Sequence, residues 1–160
     1  MQKLPTSRRL AHALTLTASA ALALLGSPAQ ALNPNSTSVQ MFEWSWPDIA
    51  TECTQWLGPK GFGGVQISPP GASKVANGWW GVYQPVNYAN LTSRMGTPAQ
   101  LQSMINACHT AGVRVYADIV VNQMADGSGT ATDGSTWNAN TPTYPFFSAR
   151  DFPAPAPNHP

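Results

Sequence analysis

Charged residues are scarce in this chain. They make up 9% of its 160 residues, against about 25% in an average soluble domain. Eight basic and seven acidic residues are spread along the sequence, and no basic patch indicates nucleic acid as a partner. Asn, Gln, Ser, Thr and aromatic residues are common instead. This composition is typical of an extracellular protein that handles neutral, hydroxyl-rich ligands.

Side chains with acid–base or metal-binding chemistry are also few. The three histidines show no metal-ligand spacing, and no glycine-rich phosphate loop occurs. Glu43 is interpreted as a structural residue inside the first strand, and His109 as a solvent-facing helix residue. The acids offer no convincing catalytic pair; they are Glu43, Asp48, Glu52, Asp118, Asp126, Asp133 and Asp151.

Residues 1–31 have the pattern of a secretion signal. A basic start precedes an apolar run over residues 10–25 and a small-residue cleavage site at 29–31. The alternative is a membrane anchor, but the run is shorter than the about 20 residues that a span needs. We therefore expect a secreted protein, exported by the Sec or Tat route, with no membrane attachment after cleavage. The signal takes three of the eight basic residues, so five remain against seven acids, a net charge of −2; the three are Lys3, Arg8 and Arg9.

The apolar periodicities predict a β-α-β-α-β order. Helix starts carry capping signals at Ser45 and Thr97. This order implies an α/β fold with a parallel sheet and right-handed crossovers. The predicted strands cover residues 39–44, 64–68 and 113–124, and the predicted helices cover residues 46–57 and 98–111.

The third predicted strand carries two polar side chains on one face. Asp118 and Asn122 are four residues apart, so in a strand they point the same way. A carboxylate and an amide on a buried strand are costly unless they are paired or bind a ligand. The end of this strand is therefore a candidate site.

Two segments lack periodicity. Residues 69–96 form a long loop after the second strand, where α/β enzymes place their sites. Exposed aromatic rings in this loop can stack on sugar rings; the alternative is that the tryptophan pair plugs the loop onto the core. Residues 125–160 are interpreted as loop without strand or helix. The candidate sugar-contacting residues of the first loop are Trp79, Trp80, Tyr83 and Gln84.

The chain has two cysteines, Cys53 and Cys108. In an oxidising compartment one disulfide is expected, and the alternative is two buried thiols. Both cysteines lie on the core-facing sides of consecutive helices, which makes a bridge geometrically reasonable. Closing this loop would contribute about 4 kcal/mol in the chain-entropy model.

Four motifs together resemble the N-terminal part of an α-amylase of glycoside hydrolase family 13, of the animal-like and actinobacterial type. The resemblance implies a partial (β/α)8 barrel. Residues 32–124 would supply its first three strands and two helices, and residues 125–160 the truncated start of a loop domain inserted after the third strand. Three strands do not close a barrel, so we expect this piece to fold poorly alone. The motifs are MFEWSWPDIATEC, GPKGFGGVQISPP, GWWGVYQPVNY and AGVRVYADIVVNQM.

The resemblance also implies roles for single residues. Asn122 matches a ligand of a structural calcium ion, and Asp118 matches an acid that supports the active site. Cys53 and Cys108 match a disulfide of the animal-like subgroup. Gln123 stands where the family has a histidine that hydrogen-bonds the sugar. The remaining substrate-binding matches are Trp79, Trp80, Tyr83 and Gln84.

The implied activity is endo-hydrolysis of α-1,4-glucosidic bonds in starch or glycogen with retention. Calcium would support it, chloride is a possible further cofactor with ligands beyond this chain, and the full-length protein is expected to be a monomer. The catalytic carboxylates of the family lie on later strands, so this chain is expected to be inactive alone. The alternatives are a non-catalytic α-glucan-binding protein and a truncated product without function.

Overall fold

The computed structural model describes residues 37–152. The predicted signal, His12 and His159 lie outside these residues. Described elements follow in chain order: β1 Ser38–Met41, α1 Trp46–Glu52, β2 Gly64–Ile67, β3 Ala72–Ser73, β4 Pro85–Asn87, α2 Pro98–Thr110, β5 Arg114–Ala117, β6 Ser128–Thr130 and β7 Thr136–Asn138. No helix within this range is long and apolar enough to cross a membrane.

A parallel sheet forms the centre of the described fold. Its strand order is β1-β2-β5, and the register aligns Met41, Ile67 and Ala117 at its carboxyl edge. Each connection between neighbouring strands contains one helix, α1 or α2. The predicted β-α-β-α-β order is therefore confirmed as an α/β arrangement.

Both helices begin where the capping signals predict. The Ser45 hydroxyl accepts the Asp48 N–H at 3.3 Å and donates to the Asp48 carboxylate at 2.6 Å. Thr97 and Gln100 form a complete capping box on α2. Beyond its last α-helical residue, α1 continues as a π-helical turn over Cys53–Leu57, so the helical segment ends where the sequence predicts.

The main core lies between the sheet and the two helices. Trp46, Ile49 and Met104 are fully buried there. Cys53 and Cys108 form a disulfide between the two helical segments, with their Cα atoms 5.0 Å apart. The disulfide prediction is confirmed, and the alternative of two free thiols is wrong.

The first and third strands are shorter than predicted. β1 ends at Met41, so Glu43 lies in the following turn and not inside a strand. Pairing of β5 stops soon after Ala117, where the Asp118 N–H still donates to Ile67 O at 3.1 Å. The neighbouring strand then runs into two prolines, Pro69 and Pro70, which have no N–H to continue a ladder. The period-two pattern over 119–124 therefore does not correspond to a paired strand.

The two segments predicted to be loops contain short elements. Residues 69–96 include the antiparallel pair β3–β4 and a 3-10 turn over Trp79–Tyr83. Residues 125–152 include the hairpin β6–β7. A second, smaller core joins these segments; its buried members are Val86, Ala125, Ala131, Trp137 and Tyr144.

Candidate functional site

An exposed aromatic surface lies in the connection that follows β2. The 3-10 turn places Trp79 and Trp80 outward, 56% and 44% exposed, while Val82 points into the main core. Neither tryptophan is buried in the core, so both remain partly exposed to solvent. The turn thus anchors itself through Val82 and presents its large rings to solvent.

Trp79 makes steeply inclined contacts with two further aromatic rings. The ring centroids of Phe42 and Tyr83 each lie 6.0 Å from that of Trp79, at steep interplanar angles. Edge-to-face pairs of this kind contribute about 0.5–1.5 kcal/mol beyond area burial. The arrangement fixes the tilt of the Trp79 ring and leaves more than half of the residue exposed.

Trp80 packs over a glycine and a lysine. A Cβ atom on Gly78 would lie 2.3 Å from Trp80 Nε1, so only glycine fits under this ring. The Lys74 ammonium lies 5.7 Å from the Trp80 ring centroid and also donates to Asp126 O at 3.0 Å. Lys74 therefore connects the tryptophan turn to the segment that follows β5.

Tyr83 connects the aromatic turn to the end of β5. Its hydroxyl donates to Asp118 Oδ2 at 2.9 Å. Burial, the hydrogen bond to Asp118 and the negative charges of Asp118 and Glu43 raise the pKa of Tyr83 to about 12. Tyr83 is therefore a neutral hydrogen-bond donor at physiological pH, and Asp118 is oriented by it.

Three amide side chains organise the segment after Asp118. Gln123 Nε2 donates to Tyr83 O at 3.0 Å, and Asn122 Nδ2 donates to Gln123 Oε1 at 3.1 Å. Gln84 Oε1 accepts the Asp126 N–H at 3.2 Å. The structure therefore gathers the predicted site residues at one end of the sheet. Asn122 and Asp118, predicted to share a strand face, have different partners there.

Asn122 has a side-chain carbonyl oxygen, which is a type of atom that binds calcium ions. Its amide nitrogen is engaged by Gln123, and it is exposed, so its carbonyl oxygen can face an ion. Calcium takes six to eight oxygen ligands. Among residues 37–152 no group of three or more His, Cys, Asp or Glu side chains could hold a metal. Asn122 fits one position of a calcium shell, and the described acids and histidines do not complete it.

The described acids are engaged one at a time. Asp118 pairs with Tyr83, Glu43 with Arg94, and Asp133 with Asn87. Retaining glycosidases need two carboxylates about 5 Å apart. The contacts of these three acids are with Tyr83, Arg94 and Asn87 and not with a second carboxylate.

Comparison with known proteins identifies the relatives of this chain. No protein-family model matches it. The α-amylase of Aeromonas hydrophila is 52% identical over 131 residues, which cover 81% of this chain and 30% of that protein. The α-amylase of Streptomyces violaceus is 46% identical over 134 residues, 82% of this chain and 23% of that protein. The chain belongs to the α-amylase family. It spans less than a third of the length of these relatives.

Solved α-amylase structures agree with this family assignment. α-Amylase I of Eisenia fetida superposes with a TM-score of 0.70 at 39% identity, over 73% of this chain and 25% of that one. That enzyme has been solved in wild-type form and as a mutant in complex with maltohexaose. The family resemblance drawn from the four sequence motifs is confirmed.

Sequence reasoning missed two residues that shape the aromatic surface of this α-amylase-family chain. Phe42 contacts Trp79, and Arg94 donates to Gly78 O at 2.9 Å, just before the aromatic turn. Phe42 falls within the predicted strand over residues 39–44, and Arg94 lies in the long loop after the second strand without a predicted role. The available signal was the single acid, Glu43, inside an otherwise apolar and aromatic run.

Proposed function

We propose that this chain forms the substrate-binding start of a secreted α-amylase that hydrolyses internal α-1,4-glucosidic bonds with retention. The observation that most directly supports this proposal is the exposed Trp79 ring, which contacts the Tyr83 ring. Both rings lie at the carboxyl end of the parallel sheet. Enzymes of (β/α)8 architecture bind substrates at this end. Two successive crossovers with order β1-β2-β5 suit the first part of such a barrel.

The proposed ligand is an α-linked glucose polymer such as starch. The apolar faces of glucose rings stack on exposed indoles, and amides such as Gln84 and Gln123 can hydrogen-bond their hydroxyls. The maltohexaose complex of the earthworm enzyme supports this class of ligand. Asp118, held by Tyr83, would support the active site from below.

Calcium is proposed as a structural cofactor. Asn122 would supply one amide oxygen, and the ion would hold the segment after β5 in place. Chloride is a possible second cofactor, with its ligands beyond this chain. The general acid and the nucleophile would come from acids outside the described residues, and the signal at residues 1–31 would direct secretion. We expect the full-length protein to be a monomer.

The experiment uses protein expressed from its complete reading frame. Insoluble starch pull-down measures binding, and release of reducing sugars measures hydrolysis. Trp79→Ala is expected to weaken starch binding by about tenfold, the loss of one stacking contact of about 1.4 kcal/mol. Trp56→Ala is the matched control, because Trp56 is also 56% exposed but lies in the π-helical turn after α1.

The outcomes separate the proposal from its rival. Hydrolysis and binding that both depend on Trp79 support the amylase. Binding without hydrolysis supports a non-catalytic glucan-binding protein. Absence of both activities contradicts the proposed function.

A further inference from the structure

Glu43 adopts a backbone conformation that is unusual for its residue type. Its φ is +59°, and it is the one non-glycine residue with a positive φ within residues 37–152. This left-handed region is disfavoured for residues with a Cβ atom. Such strain persists where surrounding contacts hold it, and it is concentrated at functional sites.

Both the backbone and the side chain of Glu43 are held. Its N–H donates at 2.8 Å to the hydroxyl of Ser68, a buried residue directly after β2. Its carboxylate pairs with Arg94, with Nη2 3.1 Å from Oε1 and 3.3 Å from Oε2. A glycine would remove the backbone strain, but it would also remove the carboxylate that meets Arg94.

Arg94 passes this restraint to the aromatic turn. Its Nη1 donates to Gly78 O at 2.9 Å. The same carbonyl accepts the Gly81 N–H at 3.2 Å, which closes the first turn of the 3-10 segment. One guanidinium thus ties the strained turn after β1 to the residue immediately before Trp79.

A second connection runs through the aromatic rings. Phe42 precedes Glu43, so the conformation of this turn also positions the ring that contacts Trp79. Besides its contact with the Tyr83 ring, Trp79 is therefore positioned by the Phe42 ring and, through the backbone, by the hydrogen bond at Gly78 O. Both the Phe42 contact and the Gly78 hydrogen bond depend on Glu43, the first through its backbone conformation and the second through its ion pair with Arg94.

We propose that Glu43 and Arg94 are positioning residues that fix the Trp79 ring for stacking on an α-linked glucose residue. The ligand part of this inference rests on the proposed function. Arg94 and Glu43 need not touch the sugar, because they act through Gly78 and Phe42. Their effects on binding should therefore be coupled, because the Arg94 guanidinium that donates to Gly78 O is held by the Glu43 carboxylate.

The test reads the Trp79 ring directly and without ligand. The protein expressed from its complete reading frame, which includes the six tryptophans of this chain, is labelled with 5-fluorotryptophan, and Trp79→Phe assigns the Trp79 signal in the 19F NMR spectrum. Arg94→Gln and Glu43→Gln are each expected to shift or broaden this signal, and the double variant to add nothing further. Signals of the buried Trp46 and Trp137 report whether the fold is retained.

Two further variants control for general effects. Arg150→Gln removes a highly exposed arginine whose partner is the adjacent Asp151, and should leave the Trp79 signal unchanged. Glu43→Gly keeps the left-handed backbone without strain, so its Tm should equal or exceed that of the parent protein. Its Trp79 signal should nevertheless move as in Glu43→Gln. If the pair of Glu43 and Arg94 only stabilised the fold, its removal in Glu43→Gly would instead lower the Tm.

Maltohexaose titration then tests the consequence for binding. The affinity should fall by about five- to tenfold in each single variant and no further in the double variant, as for one coupled contact. An unchanged Trp79 signal in Arg94→Gln, or additive effects in the double variant, overturns the proposal. If Arg94→Gln loses the Trp46 signal, this variant has not kept its fold. The Trp79 signal of Glu43→Gly then replaces it, and an unchanged signal there overturns the proposal. If the parent protein fails to bind maltohexaose, the proposed function fails, while the ligand-free signal still decides the positioning role.

Discussion

Two regions of this chain are held together by different forces. The core region, residues 38–67 and 98–117, contains most of the larger apolar cluster and the disulfide. The loop region, residues 68–96 and 118–152, has the smaller cluster and many polar connections between distant positions. Examples are Thr132 Oγ1 donating to Thr92 O at 2.6 Å and Lys74 Nζ donating to Asp126 O.

The core region mainly contributes stability, and the loop region mainly determines the geometry of the candidate binding surface. Apolar burial is non-directional and roughly proportional to area, so the core region supplies free energy of folding. Hydrogen bonds are directional and contribute about 1 kcal/mol each. The polar contacts of the loop region therefore fix the orientation of its side chains. The candidate binding surface lies in the second region, where one lost contact would change the position of a ring more than the stability of the fold.

The largest expected effect comes from one matched pair of tryptophans. Trp46 and Trp137 are both buried, and neither indole N–H has a hydrogen-bond partner within the described structure. Trp46→Ala should lower the free energy of unfolding by about 3–5 kcal/mol in urea denaturation. Trp137→Ala should instead open only the loop region, seen as protease cleavage within residues 125–152. Equal global destabilisation by both variants would contradict the division.

A second prediction concerns turnover on starch. Gln123 lies in the loop region and donates to Tyr83 O, and the resemblance of the sequence motifs implies a histidine at this position. Gln123→His should raise kcat/KM by about tenfold, or 1.4 kcal/mol of transition-state stabilisation. Gln55→His, an exposed glutamine of the π-helical turn, is the control. Equal rates for the parent and Gln123→His enzymes would sink this prediction.

A third prediction concerns the bond between Tyr83 and Asp118. Tyr83→Phe should cost about 1 kcal/mol of stability at neutral pH. The folded pKa of Tyr83 is about 12, above its ordinary 10.0, so the neutral hydroxyl is favoured in the folded state. Its contribution is therefore complete below pH 10 and is lost as the pH rises through 12. Denaturation at several pH values should show parent and variant converging over this range; parallel curves would contradict it.

The smallest expected effect comes from Asp133. Burial acts to raise its pKa, but hydrogen bonds from Ser135 and Asn87 outweigh burial and lower it below 3.8. Its contribution is present above pH 3.8 and is lost as the pH falls through the depressed pKa. Asp133→Asn should cost less than about 1 kcal/mol at pH 7. Acid titration of unfolding should show this difference vanish only below pH 3.8, and a difference that persists there would exclude the mechanism.

The same division explains what could be predicted from the sequence. The caps at Ser45 and Thr97 depend on residues three positions away, and the structure confirms both. The α/β order follows from local periodicity, as does the placement of both cysteines on buried helical faces. These features depend on short-range patterns, so a single sequence is sufficient to predict them.

The missed features depend on contacts between distant residues. The hairpin β6–β7 is short and polar, and its pairing gains support from contacts such as that of Thr132 with Thr92. The left-handed turn at Glu43 depends on Arg94, 51 positions further along the chain. No local pattern encodes such partners, so the sequence of this turn predicts the end of a strand instead.

Under the proposed secretion, and for export of an unfolded chain, the position of the disulfide has a consequence for the order of events. Both cysteines lie within the first 108 residues, and the two helical segments that they join pack on the same core. The bridge can therefore close as soon as Cys108 reaches an oxidising compartment, while later residues are still being translocated. The core region would be covalently fixed before the loop region is complete, and the aromatic surface would then assemble on a scaffold that is already closed.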